Sequence, residues 1–170
     1  TLYGAATGRR GGFFTGGYTL GLERKLTDNW ILDTGAYVGA GGGGAAAQGG
    51  GLMIRPHIGL KYDFKWSALG LNYSFVDFPN GEISSDAIAL SFDIPFTSPT
   101  LNWEDDDLTA ADYFGFDSSN VSRHRSHLAA RVRAYYPSSD SKTTYGGSFD
   151  DSLGLVGVDY TYFLDENWFT

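Results

Sequence analysis

The sequence predicts an all-β fold: an antiparallel up-and-down transmembrane β-barrel of about eight strands, or part of a larger barrel, in one domain spanning residues 1–170. Three observations lead there. Apolar and polar residues alternate at period two over most of the chain, which puts two chemically different faces on each strand. Trp30, Trp66 and Trp168 each follow a short polar turn, where a new strand begins. Aromatics recurring at one end of alternating strands are what a water–lipid boundary selects. The chain holds 24 Gly, 12 Phe, 11 Tyr and 4 Trp but is only 19% charged, below the roughly one quarter usual in soluble domains.

The first clear strand runs from about Phe13 to Leu26. Phe14, Tyr18, Leu20, Leu22 and Leu26 fall on one face, and Thr15, Gly17, Thr19, Gly21, Glu23 and Lys25 on the other. The second, about Trp30 to Ala40, sets Trp30, Leu32, Ala36 and Val38 against Asp33, Gly35 and Gly39, with Ile31 and Tyr37 breaking the rule. The third is the cleanest. Leu52, Ile54, Pro56, Ile58, Leu60, Tyr62 and Phe64 oppose Met53, Arg55, His57, Gly59, Lys61 and Asp63. Pro56 has no N–H to give a ladder, so a local bulge or irregularity is expected there.

The fourth strand, about Trp66 to Phe75, shows Leu69, Leu71, Tyr73 and Phe75 against Gly70, Asn72 and Ser74. Pro79-Asn80-Gly81 then turns the chain, Asn-Gly being a strong hairpin signal. The fifth, about Ile83 to Phe96, carries Ile88, Leu90, Phe92, Ile94 and Phe96 opposite Ala87, Ala89, Ser91 and Asp93. In the sixth, about Val121 to Tyr136, Leu128, Ala130, Val132, Ala134 and Tyr136 oppose Arg123, Arg125, His127, Arg131 and Arg133. The seventh, about Leu153 to Phe163, sets Val156, Val158, Tyr160 and Tyr162 against Gly157, Asp159 and Thr161. Trp168 opens an eighth. Seven strands and a stub leave open edges, which lipid does not tolerate. Either the polypeptide continues past Thr170 or neighbouring chains complete the sheet.

A soluble barrel or sandwich alternates as well, with its apolar face inward. The polar faces favour the inverted arrangement, because they are built of Gly, Ser, Ala and Thr rather than the Lys and Glu of a water-facing surface. Their charges are of both signs. Glu23, Lys25, Asp33, Arg55, His57, Lys61, Asp63, Asp93, Arg123, Arg125, Arg131, Arg133 and Asp159 are the expected members of a lumen charge network. Turn lengths also alternate, as an outer-membrane barrel requires. Thr27-Asp28-Asn29, Phe64-Lys65 and Leu164 to Asn167 are short, and Gly39 to Gly51 and Pro137 to Ser152 are long.

The stretches Gly59-Leu60-Lys61-Tyr62-Asp63-Phe64, Gly70-Leu71-Asn72-Tyr73-Ser74-Phe75 and Gly157-Val158-Asp159-Tyr160-Thr161-Tyr162 resemble the Gly-x-x-aromatic-x-aromatic strands of small Gram-negative outer-membrane β-barrels. The resemblance is at the level of the superfamily. It implies an architecture and a place in the outer membrane, among its lipid and lipopolysaccharide, but no activity.

Composition excludes several classes. A net charge of −8 lacks the basic footprint that nucleic acid demands. There is no Cys, hence no disulfide and no thiolate metal site. No run of about 18 apolar residues provides a transmembrane helix. Cofactors and metals are not expected. No second His accompanies His57 at ligand spacing, and no Lys-Ser/Thr follows the Gly run.

Two segments are irregular. Gly39 to Gly51 is nearly pure Gly, Ala and Gln, and reads as a mobile loop or a close-packing surface for another subunit. An acidic insertion at about 97–120 holds Trp103, Glu104, Asp105, Asp106 and Asp107, with a short helix expected from Asp106 to Phe114. It is a candidate docking element for a periplasmic partner, or else a solvated loop or an extra short hairpin; other envelope proteins or copies of the chain are the expected partners. Leu26-Thr27-Asp28-Asn29-Trp30 and Leu164-Asp165-Glu166-Asn167-Trp168 match closely, which is either recurring turn chemistry or a repeated unit of a longer chain.

The catalytic candidates are His124 and Ser126, which share the outward face. His-x-Ser is similar to the pairing in outer-membrane lipid A deacylases, where His activates a Ser nucleophile. The residues after Ser126 depart from that family's pattern, and strand counting places the pair at the wrong membrane leaflet. The expected function is therefore non-catalytic: an integral outer-membrane barrel acting as structural anchor or scaffold of the cell envelope. The alternatives are a pore for small anionic solutes, in which the Arg row lines a wide lumen, a lipid hydrolase, and a soluble ligand-binding barrel.

Overall fold

A computed structural model describes residues 1–7, 12–43, 46–47, 49–101, 121–143, 145–147 and 152–170. Nine strands make it up: β1 (Leu2–Thr7), β2 (Phe14–Lys25), β3 (Trp30–Gly42), β4 (Leu52–Asp63), β5 (Ala68–Asp77), β6 (Ser84–Leu101), β7 (Val121–Pro137), β8 (Leu153–Tyr162) and β9 (Trp168–Phe169). Consecutive strands from β2 to β8 pair antiparallel, β1 pairs with β8, and β1 also pairs with β2. The sheet thus closes into an eight-stranded antiparallel barrel with β9 as an extra strand.

The expectation of seven strands with open edges is corrected by β1. Its sequence, LYGAAT, is short and small-residued, and gives no alternation to read. β1 takes the β2 edge at Phe14–Gly16, and β9 takes the same edge lower down, at Gly21–Leu22. Phe169 bridges to Phe163 just beyond β8.

The barrel is inside-out relative to a soluble one. Ile58, Leu71 and Val132 point outward and are each more than half exposed, while Asp33, Arg133 and Asp159 point inward and are almost fully buried. The two rule-breakers of β3 face the lumen, where Ile31 and Tyr37 are buried. Small inward residues make room for such rings. A Cβ on Gly39 would lie 2.2 Å from Tyr37 Oη, and one on Gly157 would lie 2.2 Å from the Tyr3 ring.

The short turns lie at one end of the barrel and are built alike. Leu26 N–H and Leu164 N–H donate to the carbonyls of Trp30 and Trp168, both at 2.8 Å. Thr27 Oγ1 accepts from the N–H of Asn29 and Trp30. Asp165 Oδ1 accepts from those of Asn167 and Trp168, both at 2.7 Å. The N–H groups of Trp168 and Asn167 hold the Asp165 carboxyl below its ordinary range. The near-repeat is thus two copies of one side-chain-capped turn. In the third turn Lys65 has φ 75°, and its N–H donates to Asp63 Oδ1.

Trp30, Trp66 and Trp168 are all exposed at this end. Trp66 belongs to the turn, because β5 begins two residues later, at Ala68. Pro56 produces no bulge. The β4–β5 register is the same at Ile54↔Asp77 as at His57↔Ser74, with only Arg55 and Pro56 dropping out of that ladder. β6 and β7 run on together to the pair Leu101↔Val121, so 97–101 is strand rather than irregular insertion. Trp103, Glu104, Asp105, Asp106, Asp107 and the expected helix lie outside the described residues.

At the opposite end the longer connections fold over the mouth. Ala46 of the Gly/Ala segment is buried and bridges to Thr143. Glu82 N–H donates to Ala47 O, and Lys142 N–H to Glu82 O. The part of Gly39–Gly51 described here is therefore strand (to Gly42) and a packed cap, not a free loop.

Candidate functional site: the filled lumen

Three zones follow one another down the barrel. Beneath the long-loop cap sits an apolar plug of Phe13, Met53, Val76, Phe78, Tyr135 and Leu153. The space left among them is about 20 Å³, room for about one water.

The middle zone is polar. Arg133 Nη1 donates to Ser74 Oγ at 2.8 Å, and Nη2 to Tyr3 Oη at 3.3 Å. Tyr3 Oη in turn donates to Asp159 Oδ2 at 3.0 Å. Arg131 Nε lies 2.7 Å from the same carboxylate oxygen. The Arg55 guanidinium lies over the rings of Tyr37 (4.6 Å) and Tyr3 (5.2 Å), a cation–π stacking that suits its planar charge. Thr15 Oγ1 and Tyr37 Oη share a hydrogen bond of 2.7 Å.

Below this, carboxylates gather round one ammonium. Lys61 Nζ lies 2.7 Å from Glu23 Oε1, 2.9 Å from Asp93 Oδ2 and 3.3 Å from Asp33 Oδ2. His57 Nε2 is 3.3 Å from Asp33 Oδ1. A cavity of about 280 Å³ touches Asp33, Arg55, His57, Lys61, Arg131 and Asp159. A wider recess of about 640 Å³ opens at the short-turn mouth, between Glu23, Arg24, Lys25, Arg125, Phe163 and Asn167.

Nine of the thirteen expected network residues meet in the lumen: Glu23, Asp33, Arg55, His57, Lys61, Asp93, Arg131, Arg133 and Asp159. Arg125 is at the rim, its side chain 44% exposed, with Nη2 at 3.4 Å from Glu23 Oε2 and its guanidinium over Phe163. Two expectations are corrected. Lys25 points to the mouth and is exposed, and Asp63 serves the turn through Lys65 N–H rather than the network. Alternation assigns a face and not a height, so it cannot separate these rim residues from the lumen set. The Arg123 side chain lies outside the described residues. Tyr3, Tyr37 and Ser74 join the network without being expected members, because they carry no charge. Tyr37 breaking the β3 pattern was the signal that a polar-tipped ring turns inward.

Ser126 is fully buried, its hydroxyl 3.4 Å from the Tyr160 hydroxyl. The Tyr160 ring in turn packs against Phe96. The His124 side chain lies outside the described residues. Comparisons with protein-family models, curated proteins and solved structures gave no match.

Proposed function

We propose that this chain is an integral β-barrel of the Gram-negative outer membrane, acting as a structural anchor or scaffold of the envelope with its outer wall against lipid and lipopolysaccharide. The observation that carries the reading is the exposed apolar wall around a filled lumen. Exposed apolar surface of this extent marks contact with a membrane or a partner. On β6 the outward residues Ile88, Leu90, Phe92, Ile94 and Phe96 are all exposed. Eight residue steps at about 3.4 Å give about 27 Å of strand. A tilt of about 40° reduces this to about 21 Å along the membrane normal, close to the ~25 Å apolar band of such barrels.

Polar groups bound the wall at one end. Asp86 faces outward just above Ile88, where the Tyr73 hydroxyl donates to its carboxylate. At the other end aromatic rings touch: Trp30 with Tyr62, Tyr62 with Phe64, Trp66 with Phe92, and Phe96 with Tyr160. This is the interfacial girdle that amphipathic rings prefer. The short turns at the Trp end favour the periplasmic side.

The test is refolding of the chain into lipid vesicles followed by flotation in a density gradient. It is expected to float with the lipid and to resist extraction by alkaline carbonate. Recovery of folded chain in the aqueous fraction without detergent would sink the membrane assignment and favour a soluble barrel.

A further inference from the structure

Close about one ammonium the lower lumen gathers three carboxylates, while Arg131, paired with Asp159 at 2.7 Å, acts on Asp33 and Asp93 from further off. Glu23, Asp33 and Asp93 converge on Lys61, one positive charge against three negative. Arg125 offsets part of the remainder from the rim, at 3.4 Å and half in solvent.

Two atoms in the same place lack a hydrogen-bond partner. One is Asp93 Oδ1, on a residue only 1% exposed, and the other is His127 Nδ1. Leaving buried acceptors unmet costs roughly 1–3 kcal/mol each and more for a charged group, so a site that keeps them invites an electron-pair acceptor. Glu23, Asp93 and His127 each present a potential ligand atom, and the three atoms all lie within 4.8 Å of one another.

We propose that Glu23, Asp93 and His127 form a binding site for a divalent transition-metal ion of the Zn²⁺ type. The donor set selects the class. One imidazole nitrogen with two carboxylate oxygens suits Zn²⁺ and its neighbours, whereas Ca²⁺ and Mg²⁺ take oxygen alone. The ion's positive charge is accommodated among three carboxylates that share one ammonium. Lys61 retains Asp33 at 3.3 Å as a partner while the ion shares Glu23 and Asp93. Three protein ligands leave a coordination position for water, as in open zinc sites. Glu23 also lines the recess at the short-turn mouth, which provides the route of entry. The inference goes beyond the anchoring role and does not depend on it, because all three residues face the lumen whatever surrounds the wall.

The experiment uses the full chain without an affinity tag, folded in detergent micelles. Zn²⁺ is titrated by calorimetry, and Co²⁺ is used as an absorbing substitute. The wild type is expected to bind one ion per chain, with visible Co²⁺ bands of a low-coordinate N/O site. His127→Ala and Asp93→Asn are expected to raise Kd by at least about tenfold, since even changes to residues behind a metal's ligands cost 10–100-fold. Circular dichroism of each variant reports folding. If Asp93→Asn fails to fold, the half-buried His127 carries the test alone. No stoichiometric ion, or a Kd unchanged in His127→Ala, overturns the site.

Discussion

Lys61 is the residue on which the lumen turns. Its ammonium is held by three buried carboxylates, and a buried charge is tolerated only where partners replace its water. Lys61→Met is expected to cost about 3–5 kcal/mol, because Glu23, Asp33 and Asp93 are left facing one another without their shared cation. Urea unfolding followed by Trp fluorescence would measure it, and a cost below about 1 kcal/mol would show that the cluster is wetter than its burial implies. Each of these four residues was legible as inward from alternation alone. Their convergence was not, because they come from β2, β3, β4 and β6, and pairing partners across a lumen leave no sequence spacing. The same limit hid the grouping of Glu23, Asp93 and His127.

Among the elements, β3 shows how a narrow barrel accommodates large side chains. Tyr37 turns inward and is fully buried, and the glycines beside it supply the space. A Cβ on Gly39 would meet Tyr37 Oη at 2.2 Å and Gly16 O at 2.5 Å. One contact is the end of a side chain, but the other is backbone and cannot swing away. Gly39→Ala is therefore expected to destabilise by about 1–3 kcal/mol, the usual cost of overpacking. The measurement is the temperature at which the folded, faster-migrating band disappears in cold-loaded SDS gels, and an unchanged temperature would show that Tyr37 can leave the lumen freely. The wealth of Gly in the sequence pointed to a sheet facing something other than water. Its reason, inward rings seated on inward glycines, required the register. The turn elements were more legible. Thr27 and Asp165 stand at matching places in their pentapeptides, and each caps the two N–H groups that the turn leaves unpaired. By contrast β6, 18 residues long, outruns its alternating core, since pairing with β7 sustains strand where the pattern has lapsed.

At the scale of the molecule, strand number fixes what the lumen can do. Eight strands enclose an interior that side chains just fill. Among the described residues an apolar plug above and ion pairs below occupy it, and Arg131 and Arg133 of β7 are bound into that network. In planar bilayers the folded chain is expected to show no steady conductance, and a stable open channel with anion preference would overturn the filled-lumen reading in favour of a pore. By itself the sequence determined the class of fold, the two faces of nearly every strand and the end at which the Trp residues gather. Those follow from period-two alternation and turn chemistry, which act between residues close along the chain. Only the tertiary structure decided that the sheet closes, through a β1 too short and plain to announce itself. It also decided which inward charges meet, and that Lys25, Asp63 and Arg125 stay at the rim. Those outcomes depend on closure and register, which bring together residues far apart in the chain, 156 positions in the Tyr3–Asp159 hydrogen bond.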